Sequence, residues 1–343
     1  MMILGIETSC DETSASLIKT NINKTKVQLI SNVIASSLSL HAKTGGIIPE
    51  VAAREQVKYI LPVIQEAIKD LKNPQEEIDA IAVTTGPGLI GSLLVGVETA
   101  RTFAYVWGKP IYSVNHLFGH IYANFISQNS KSDDEIKFPA IALIVSGGHT
   151  DLVLIKNHKI TKWLGGTRDD AAGEALDKTG RILGLPYPAG PQIEKLAEKI
   201  KTDKYKFPRP LINSKDFDFS FSGLKTAVLR KVQASGQLDN ETISNICNSL
   251  QEAVFDVLIK KTLAASHKYN VKSILLGGGV AANQTLRDRF KSSIKISKSS
   301  IKLFVPPKSL CTDNAAMIAA AGYYNYEPMI WQEISANPEA YFD

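Results

Sequence analysis

Twice along this chain an apolar stretch enters a small polar turn and leaves it as another apolar stretch. Residues 3–18 read Ile-Leu-Gly-Ile-Glu-Thr-Ser-Cys-Asp-Glu-Thr-Ser-Ala-Ser-Leu-Ile, and residues 139–156 read Pro-Ala-Ile-Ala-Leu-Ile-Val-Ser-Gly-Gly-His-Thr-Asp-Leu-Val-Leu-Ile-Lys. Each is predicted to be a hairpin of two strands around a turn. Two halves that open alike constrain the chain to a duplicated α/β fold, two lobes with a ligand cleft between them. The expected division is 1–115 plus 311–343 for the first lobe and 116–310 for the second. A length of 343 residues agrees, being too great for one simple core. The first turn, rich in Ser, Thr and acids, can present N–H groups and hydroxyls to a phosphate or hydrated cation, or be an ordinary hairpin turn.

The stretch Ile111-Tyr-Ser-Val-Asn-His-Leu-Phe-Gly-His120 reads as a short strand, an N-capping Asn115 and a helix. His116 and His120 are four apart and share one helix face, so both imidazoles can address one metal ion; two hydrogen-bonded structural histidines are the alternative. In the zinc peptidase helix the residue after the first His is a Glu acting as general base, and here it is Leu117. Much later, Phe304-Val-Pro-Pro-Lys-Ser-Leu-Cys-Thr-Asp-Asn314 precedes an Ala-rich helix. Asp313 is expected at its N-cap, or as the carboxylate completing a His, His, Asp triad.

Other turns feed helices. Gly86-Pro-Gly-Leu-Ile-Gly-Ser92 leads into a helix reaching about Trp107, and close packing of backbone is the expected role of its glycines, with anion binding the alternative. Asp169-Asp170 is expected to cap a helix running to Gly184, in which Glu174 and Asp177 share a face, and Glu194 follows the turn Pro188-Ala-Gly-Pro191. A carboxylate beside such a turn suits a ribose diol, whose two hydroxyls it can accept; a solvated helix acid is the alternative. Ser273-Ile-Leu-Leu-Gly-Gly-Gly-Val-Ala-Ala-Asn283 reads as a buried strand, a triple glycine and a helix start, where Asn283 offers its amide to a ring or phosphate. The helices expected over 51–71 and 91–107 carry more apolar residues than one core-facing stripe needs, which makes them candidates for a face paired with another subunit.

Composition narrows the class. Apolar residues at 44% and charged residues at 21% exclude a disordered or membrane chain. The longest apolar run, 89–97, is broken by Gly91 and Gly96 and is too short to span a bilayer. Cys10, Cys247 and Cys311 are scattered with no CxxC pair, which argues against a zinc ribbon or a disulfide framework and fits a reducing, cytoplasmic setting. A net charge of +5 with Lys-rich segments at 156–162, 199–209 and 291–302 leaves open either solvated faces or a polyanionic partner.

Together these stretches resemble one family, the tRNA N6-adenosine threonylcarbamoyltransferases, a branch of the actin-like, sugar-kinase-like ATPase superfold. The likeness runs from Gly5 to about Tyr323. It rests on Gly5-Ile-Glu-Thr-Ser-Cys-Asp-Glu-Thr, Gly86-Pro-Gly-Leu-Ile-Gly-Ser-Leu-Leu-Val-Gly, Asn115-His-Leu-Phe-Gly-His, Val145-Ser-Gly-Gly-His-Thr, Asp169-Asp-Ala-Ala-Gly-Glu-Ala-Leu-Asp-Lys, Asp218-Phe-Ser-Phe-Ser-Gly-Leu-Lys-Thr-Ala, Gly277-Gly-Gly-Val-Ala-Ala-Asn and Leu310-Cys-Thr-Asp-Asn-Ala-Ala-Met-Ile. The resemblance implies acyl transfer from threonylcarbamoyl-AMP to the N6 amine of the adenosine just 3′ of the anticodon, in tRNAs reading codons that begin with adenine. AMP leaves. It implies His116, His120 and Asp313 as ligands of one divalent ion, iron, with zinc as the alternative. It implies Ile144, Val145, Ser146, Gly147, Gly148, Asp177, Gly190, Glu194 and Asn283 as the residues holding the adenylate. The implied partners are tRNA, a paralogous actin-like subunit and a small P-loop ATPase, with no membrane involved. Gln56 departs from a frequent His of the family, and Ala189 from a usual Gly.

Two rivals remain. A metallopeptidase needs a base that Leu117 does not supply. A non-catalytic, regulatory ATP-binding paralogue would be expected to lose the metal ligands, and all three residues stand here. His149 is a candidate base by its place in the turn alone, with a structural histidine as the other reading.

Overall fold

In the computed structural model, which describes residues 1–20, 25–44, 46–127, 135–236 and 238–342, both expected hairpins are present. The strands are β1 (Met2–Glu7), β2 (Glu12–Lys19), β3 (Val27–Ser36), β4 (Ala80–Gly86), β5 (Ile111–Asn115), β6 (Ile126–Ser127), β7 (Ala140–Val145), β8 (Thr150–Asn157), β9 (Ile160–Gly166), β10 (Ser273–Gly277) and β11 (Lys302–Phe304). The helices are α1 (Leu38–Thr44), α2 (Pro49–Ile68), α3 (Pro74–Glu77), α4 (Ile90–Trp107), α5 (His116–Tyr122), α6 (Ala172–Ile182), α7 (Gly190–Ala197), α8 (Ser222–Ser235), α9 (Asn240–Lys268), α10 (Gln284–Ile296) and α11 (Ala315–Asn325).

The chain divides into two units, Met1–Ile136 with Ser309–Asp343, and Lys137–Lys308. The described residues 116–127 therefore belong with the first unit, not with the second as the expected division had it. The cause is packing: α5 lies against α11, and β6 adds to β3.

The first unit holds a sheet in the order β5-β4-β1-β2-β3-β6, the second a sheet in the order β11-β10-β7-β8-β9. In each, the opening hairpin is antiparallel and extends to a third antiparallel strand, while its first strand pairs in parallel with a later strand. That strand in turn pairs in parallel with the next one. Five strands thus repeat in the same order and directions, and the duplication expected from two hairpins is carried by the topology.

Alternation along β1 decides the layers of the first unit. Leu4 and Ile6 join Leu17, Ile81 and Val83 in a core with Ile60, Val63 and Ile64 of α2 and Val97 and Ala100 of α4. On β1, β2 and β4 also rests α11, buried from Ala315 to Gly322. Its Ala-rich sequence suits that position, because short side chains let a helix lie close to a sheet on one side and to α5 on the other. The glycine-rich entry to α4 packs as expected. A Cβ on Gly96 would stand 2.3 Å from Thr8 Oγ1. Thr8 donates to the Ser92 carbonyl at 2.8 Å, and the Leu89 N–H donates to the Ser9 carbonyl at 2.8 Å. The β1–β2 turn is thereby pinned to the start of α4.

Capping in the second unit differs from expectation. Helix α6 has no side-chain cap. Asp169 instead accepts the N–H groups of Phe221 and Ser222 at 2.7 and 3.1 Å and both hydroxyls of Ser220 and Ser222, so it caps α8. Asp170 pairs with Lys178 at 2.6 Å. A capping carboxylate acts on whichever free N–H groups the fold brings near, and proximity in sequence is only one way to do so.

Candidate functional site

Asn115 ends β5 and accepts the Leu117 N–H at 2.8 Å, which starts α5 as expected. His116 and His120 then lie one turn apart, both buried, with ring centroids 4.7 Å apart and edge to face. Gly119, between them, faces α11: a Cβ there would stand 2.7 Å from Ile318 Cδ1. This close approach brings the residues before α11 up to the two imidazoles.

Asp313 is the residue that arrives. It was expected at the N-cap of α11 or in a triad, and the cap is Asn314, whose Oδ1 accepts the Met317 N–H at 3.0 Å. Asp313 Oδ1 lies 3.5 Å from His116 Nε2 and 3.3 Å from His120 Nε2. One ligand atom from each of the three residues falls within 4.8 Å of the others. Among the described residues neither ring nitrogen of His120 finds a hydrogen-bond partner, although the residue is only 1% exposed. A buried imidazole without hydrogen bonds costs free energy that a bound cation would offset. Two imidazole nitrogens and a carboxylate are the donor set of the two-His, one-carboxylate sites, so the residues present fit a divalent transition-metal ion.

Carboxylates crowd the same place. Glu7, fully buried at the end of β1, accepts the Ser9 N–H at 2.5 Å and the Thr84 hydroxyl. Its Oε2 lies 3.1 Å from His116 Nδ1, and Ser9 Oγ lies 3.1 Å from the same nitrogen. Burial pulls the His116 pKa down, but Asp313 and Glu7 together outweigh it and raise the imidazole to about 9. Glu12 is pushed up to about 10 by burial and then by Asp313, Asp11 and Glu7. An acid-rich pocket of this kind favours a cation.

The expected adenylate residues all lie in the second unit, where the Ser146 carbonyl accepts the Gly173 N–H of α6 at 3.1 Å. Ile144 and Val145 end β7 and are fully buried. The turn that follows is closed by Ser146 N–H to the His149 carbonyl at 2.9 Å and by His149 N–H to Ser146 Oγ at 3.1 Å. Gly147 and Gly148 are exposed, with open space where a Cβ would stand. Asp177 on α6 is no solvated helix acid: it accepts the Ala189 N–H at 2.8 Å and so holds the start of α7, where Gly190 sits. Burial raises its pKa, against the hydrogen bonds from Ala189 and Gly190. Glu194 accepts the Gln284 N–H at 2.6 Å, at the start of α10. Asn283 caps that helix through the Leu286 N–H and donates to Gln251 at 3.0 Å. His149 Nδ1 lies 3.9 Å from the buried Asp151.

The model of the family described as tRNA N6-adenosine threonylcarbamoyltransferase matches residues 28–320. Proteins of that name from Syntrophomonas wolfei and Moorella thermoacetica are 45% and 46% identical to this chain, each over 98% of it and over 96% and 95% of their own lengths. One from Listeria monocytogenes is 48% identical over 95% of this chain and 91% of its own. The chain belongs to this family. Among solved structures, HypF from T. kodakarensis superposes with a TM-score of 0.61 over 94% of this chain and 47% of its own, at 14% identity. A phosphate- and nucleotide-bound HypF gives 0.57 at 12% identity, over 94% and 46%. At such identities the likeness speaks for the fold alone, and that fold is the duplicated, actin-like α/β type expected from the resemblance.

Sequence reasoning missed Glu7, Ser9 and Thr84 around His116, and Glu12 beside Asp313. The acid- and hydroxyl-rich β1–β2 turn was the available signal. Gln56, noted only as a departure, has a defined place: its Nε2 donates to the carbonyls of Thr8, Cys10 and Glu12 at 3.2, 3.0 and 3.0 Å.

Proposed function

We propose that this chain transfers the threonylcarbamoyl group of threonylcarbamoyl-AMP to the N6 amine of the adenosine 3′ of the anticodon, in tRNAs reading codons that begin with adenine. Family membership over nearly the whole chain carries this reading, and the convergence of His116, His120 and Asp313 supports it. The amine nitrogen attacks the carbamoyl carbonyl carbon, the bond from that carbon to the phosphate oxygen breaks, and AMP leaves with the electron pair while the amine loses a proton. A divalent ion in the triad, iron with zinc as the alternative, would supply Lewis-acid polarisation of an acyl oxygen. His116, His120 and Asp313 would hold it from two rigid helix ends. The turn of Ile144 to Gly148, through its exposed Gly147 and Gly148, and the starts of α7 and α10, with Asp177, Gly190, Glu194 and Asn283, would hold the adenylate, because a glycine-rich turn lets a phosphate approach the backbone closely.

The partner reading is part of the proposal. Among the described residues no helix is long and apolar enough to cross a membrane. On α2 and α4 several large apolar side chains face outward, among them Val57 at 65% exposure, Leu61 at 53% and Tyr105 at 66%. Such a surface suits a paralogous actin-like subunit covering these helices, with a small P-loop ATPase as the further partner, and a tRNA substrate fits a cytoplasmic setting. The test is to incubate purified chain with threonylcarbamoyl-AMP and unmodified tRNA, with and without those partners, and follow the nucleoside by mass spectrometry. Product only with partners is expected. Multiple turnovers by the chain alone would remove the partner dependence, and no product in either case would overturn the activity.

A further inference from the structure

We infer that Glu7 is a positioning residue that sets the tautomer of His116, holding the proton on Nδ1 so that Nε2 presents its lone pair beside Asp313. The inference rests on the metal reading of His116, His120 and Asp313. Its grounds are the bonds around the Glu7 carboxylate. Oε1 accepts the Ser9 N–H at 2.5 Å, and Oε2 accepts the Thr84 hydroxyl and lies 3.1 Å from His116 Nδ1. A carboxylate that is receiving donors on both oxygens acts as an acceptor, so the imidazole nitrogen facing it must carry a hydrogen. A lone pair on Nδ1 would face the anion without a proton between them, and Glu7 is the nearer of the two carboxylates, 3.1 Å from Nδ1 against 3.5 Å from Nε2 to Asp313, so it is Nδ1 that keeps the hydrogen. Ser9 Oγ, 3.1 Å from Nδ1, can share that hydrogen but carries no charge to fix it.

Glu7 is itself held in place from three directions. It is fully buried at the end of β1, Thr84 grips it from the neighbouring β4, and the turn after it is tied down by Gln56 through the carbonyls of Thr8, Cys10 and Glu12. A carboxylate so placed behind a histidine orients the ring and raises its basicity as a ligand. His120 has no such support behind it, since among the described residues its Nδ1 makes no hydrogen bond and its Nε2 faces only Asp313. The two imidazoles are therefore unequal, with His116 preset and His120 set by what it binds.

The experiment uses Co2+ alone and the full chain, with no tRNA or acyl donor. Co2+ affinity is measured by chelator competition for the wild type, Glu7→Gln and Ser9→Ala, and the His116 ring nitrogens are read by 15N NMR on the metal-free protein at alkaline pH, where the ring is neutral. Expected are an Nδ1–H tautomer in the wild type, a mixture of the two tautomers in Glu7→Gln, whose amide can turn either its oxygen or its NH2 toward Nδ1, and a Co2+ dissociation constant raised roughly 10- to 100-fold in that variant, with Ser9→Ala close to wild type. An Nε2–H tautomer in the wild type would overturn the inference even if Glu7→Gln did not fold. So would a change produced by Ser9→Ala and not by Glu7→Gln, or wild-type affinity and tautomer in Glu7→Gln. A wild-type protein that takes up no Co2+ would instead remove the metal reading, and the inference with it.

Discussion

His120 Nε2 lies 3.3 Å from Asp313 Oδ1, and it does so because Asn314, not Asp313, caps the helix that follows. A side chain engaged in capping turns toward the helix N-terminus, so moving that duty by one residue leaves the Asp313 carboxylate directed at the imidazoles.

Replacing His120 by Ala is expected to abolish stoichiometric metal uptake without unfolding the chain, because the side chain removed makes no hydrogen bond. Metal at a hundredfold excess over its dissociation constant should stabilise the wild type by about 2.7 kcal/mol and the variant by nothing measurable. Elemental analysis and metal-dependent thermal unfolding check both; full metal content in His120→Ala removes this residue from the site.

At Asp177 two roles can be separated. Asp177→Ala leaves the Ala189 N–H without its acceptor and should cost ~1–3 kcal/mol of stability. Asp177→Asn keeps an acceptor there, so it should retain most of the stability yet bind the adenylate more weakly by ~1.5–3 kcal/mol if the charge serves the ribose. Calorimetry with AMP and denaturant unfolding read the two effects. Unchanged affinity in Asp177→Asn confines the residue to holding α7.

Asp169 carries a pH signature. Burial works against its charged form, but the hydrogen bonds from Ser220, Phe221 and Ser222 outweigh burial and hold its pKa below the ordinary carboxylate value. The depressed folded value means that its stabilisation is present above the unfolded pKa of about 3.9 and is lost as pH falls through the folded pKa. Asp169→Ala should cost ~1 kcal/mol at neutral pH, and the gap to wild type should close in acid. A gap that persists at the lowest pH would show that the charge is not responsible.

Gln56 offers a sign test. Its amide donates to three carbonyls of the β1–β2 turn, so Gln56→Glu, which sets an acceptor against them, should destabilise more than Gln56→Leu, itself costing ~1–3 kcal/mol. Gln56→His keeps a donor and should recover part of the loss. Urea unfolding of the three variants gives the order, and equal stability of Gln56→Glu and wild type would rule out the role.

Charges placed on the outward face of α2 test the partner surface. Val57→Asp with Leu61→Asp should change stability by no more than ~0.5 kcal/mol each, as exposed positions do, while abolishing product formation in the presence of the partner subunits. Normal turnover by the doubly substituted protein would move the partner elsewhere.

Much of this molecule is set locally. Alternation around a polar turn determined both hairpins, Asn115 ahead of an apolar helix determined where α5 starts, and a spacing of four determined that His116 and His120 share a face. Those features depend on residues within a turn or a strand of each other, and the periods of helix and strand report them directly. What lies across a face has no such period. Glu7 reads in sequence as one more position of a buried strand, and its bond to His116 spans 109 residues. Asp169 looks like the cap of the helix just after it and caps α8 instead, and Asp313 was undecided between cap and ligand until Gly119 let α5 close on α11. Residues 116–127 likewise joined the first unit because of what they pack against. Only tertiary structure decided these, because a carboxylate bonds to the nearest donor in space, and the folded packing determines which donor that is.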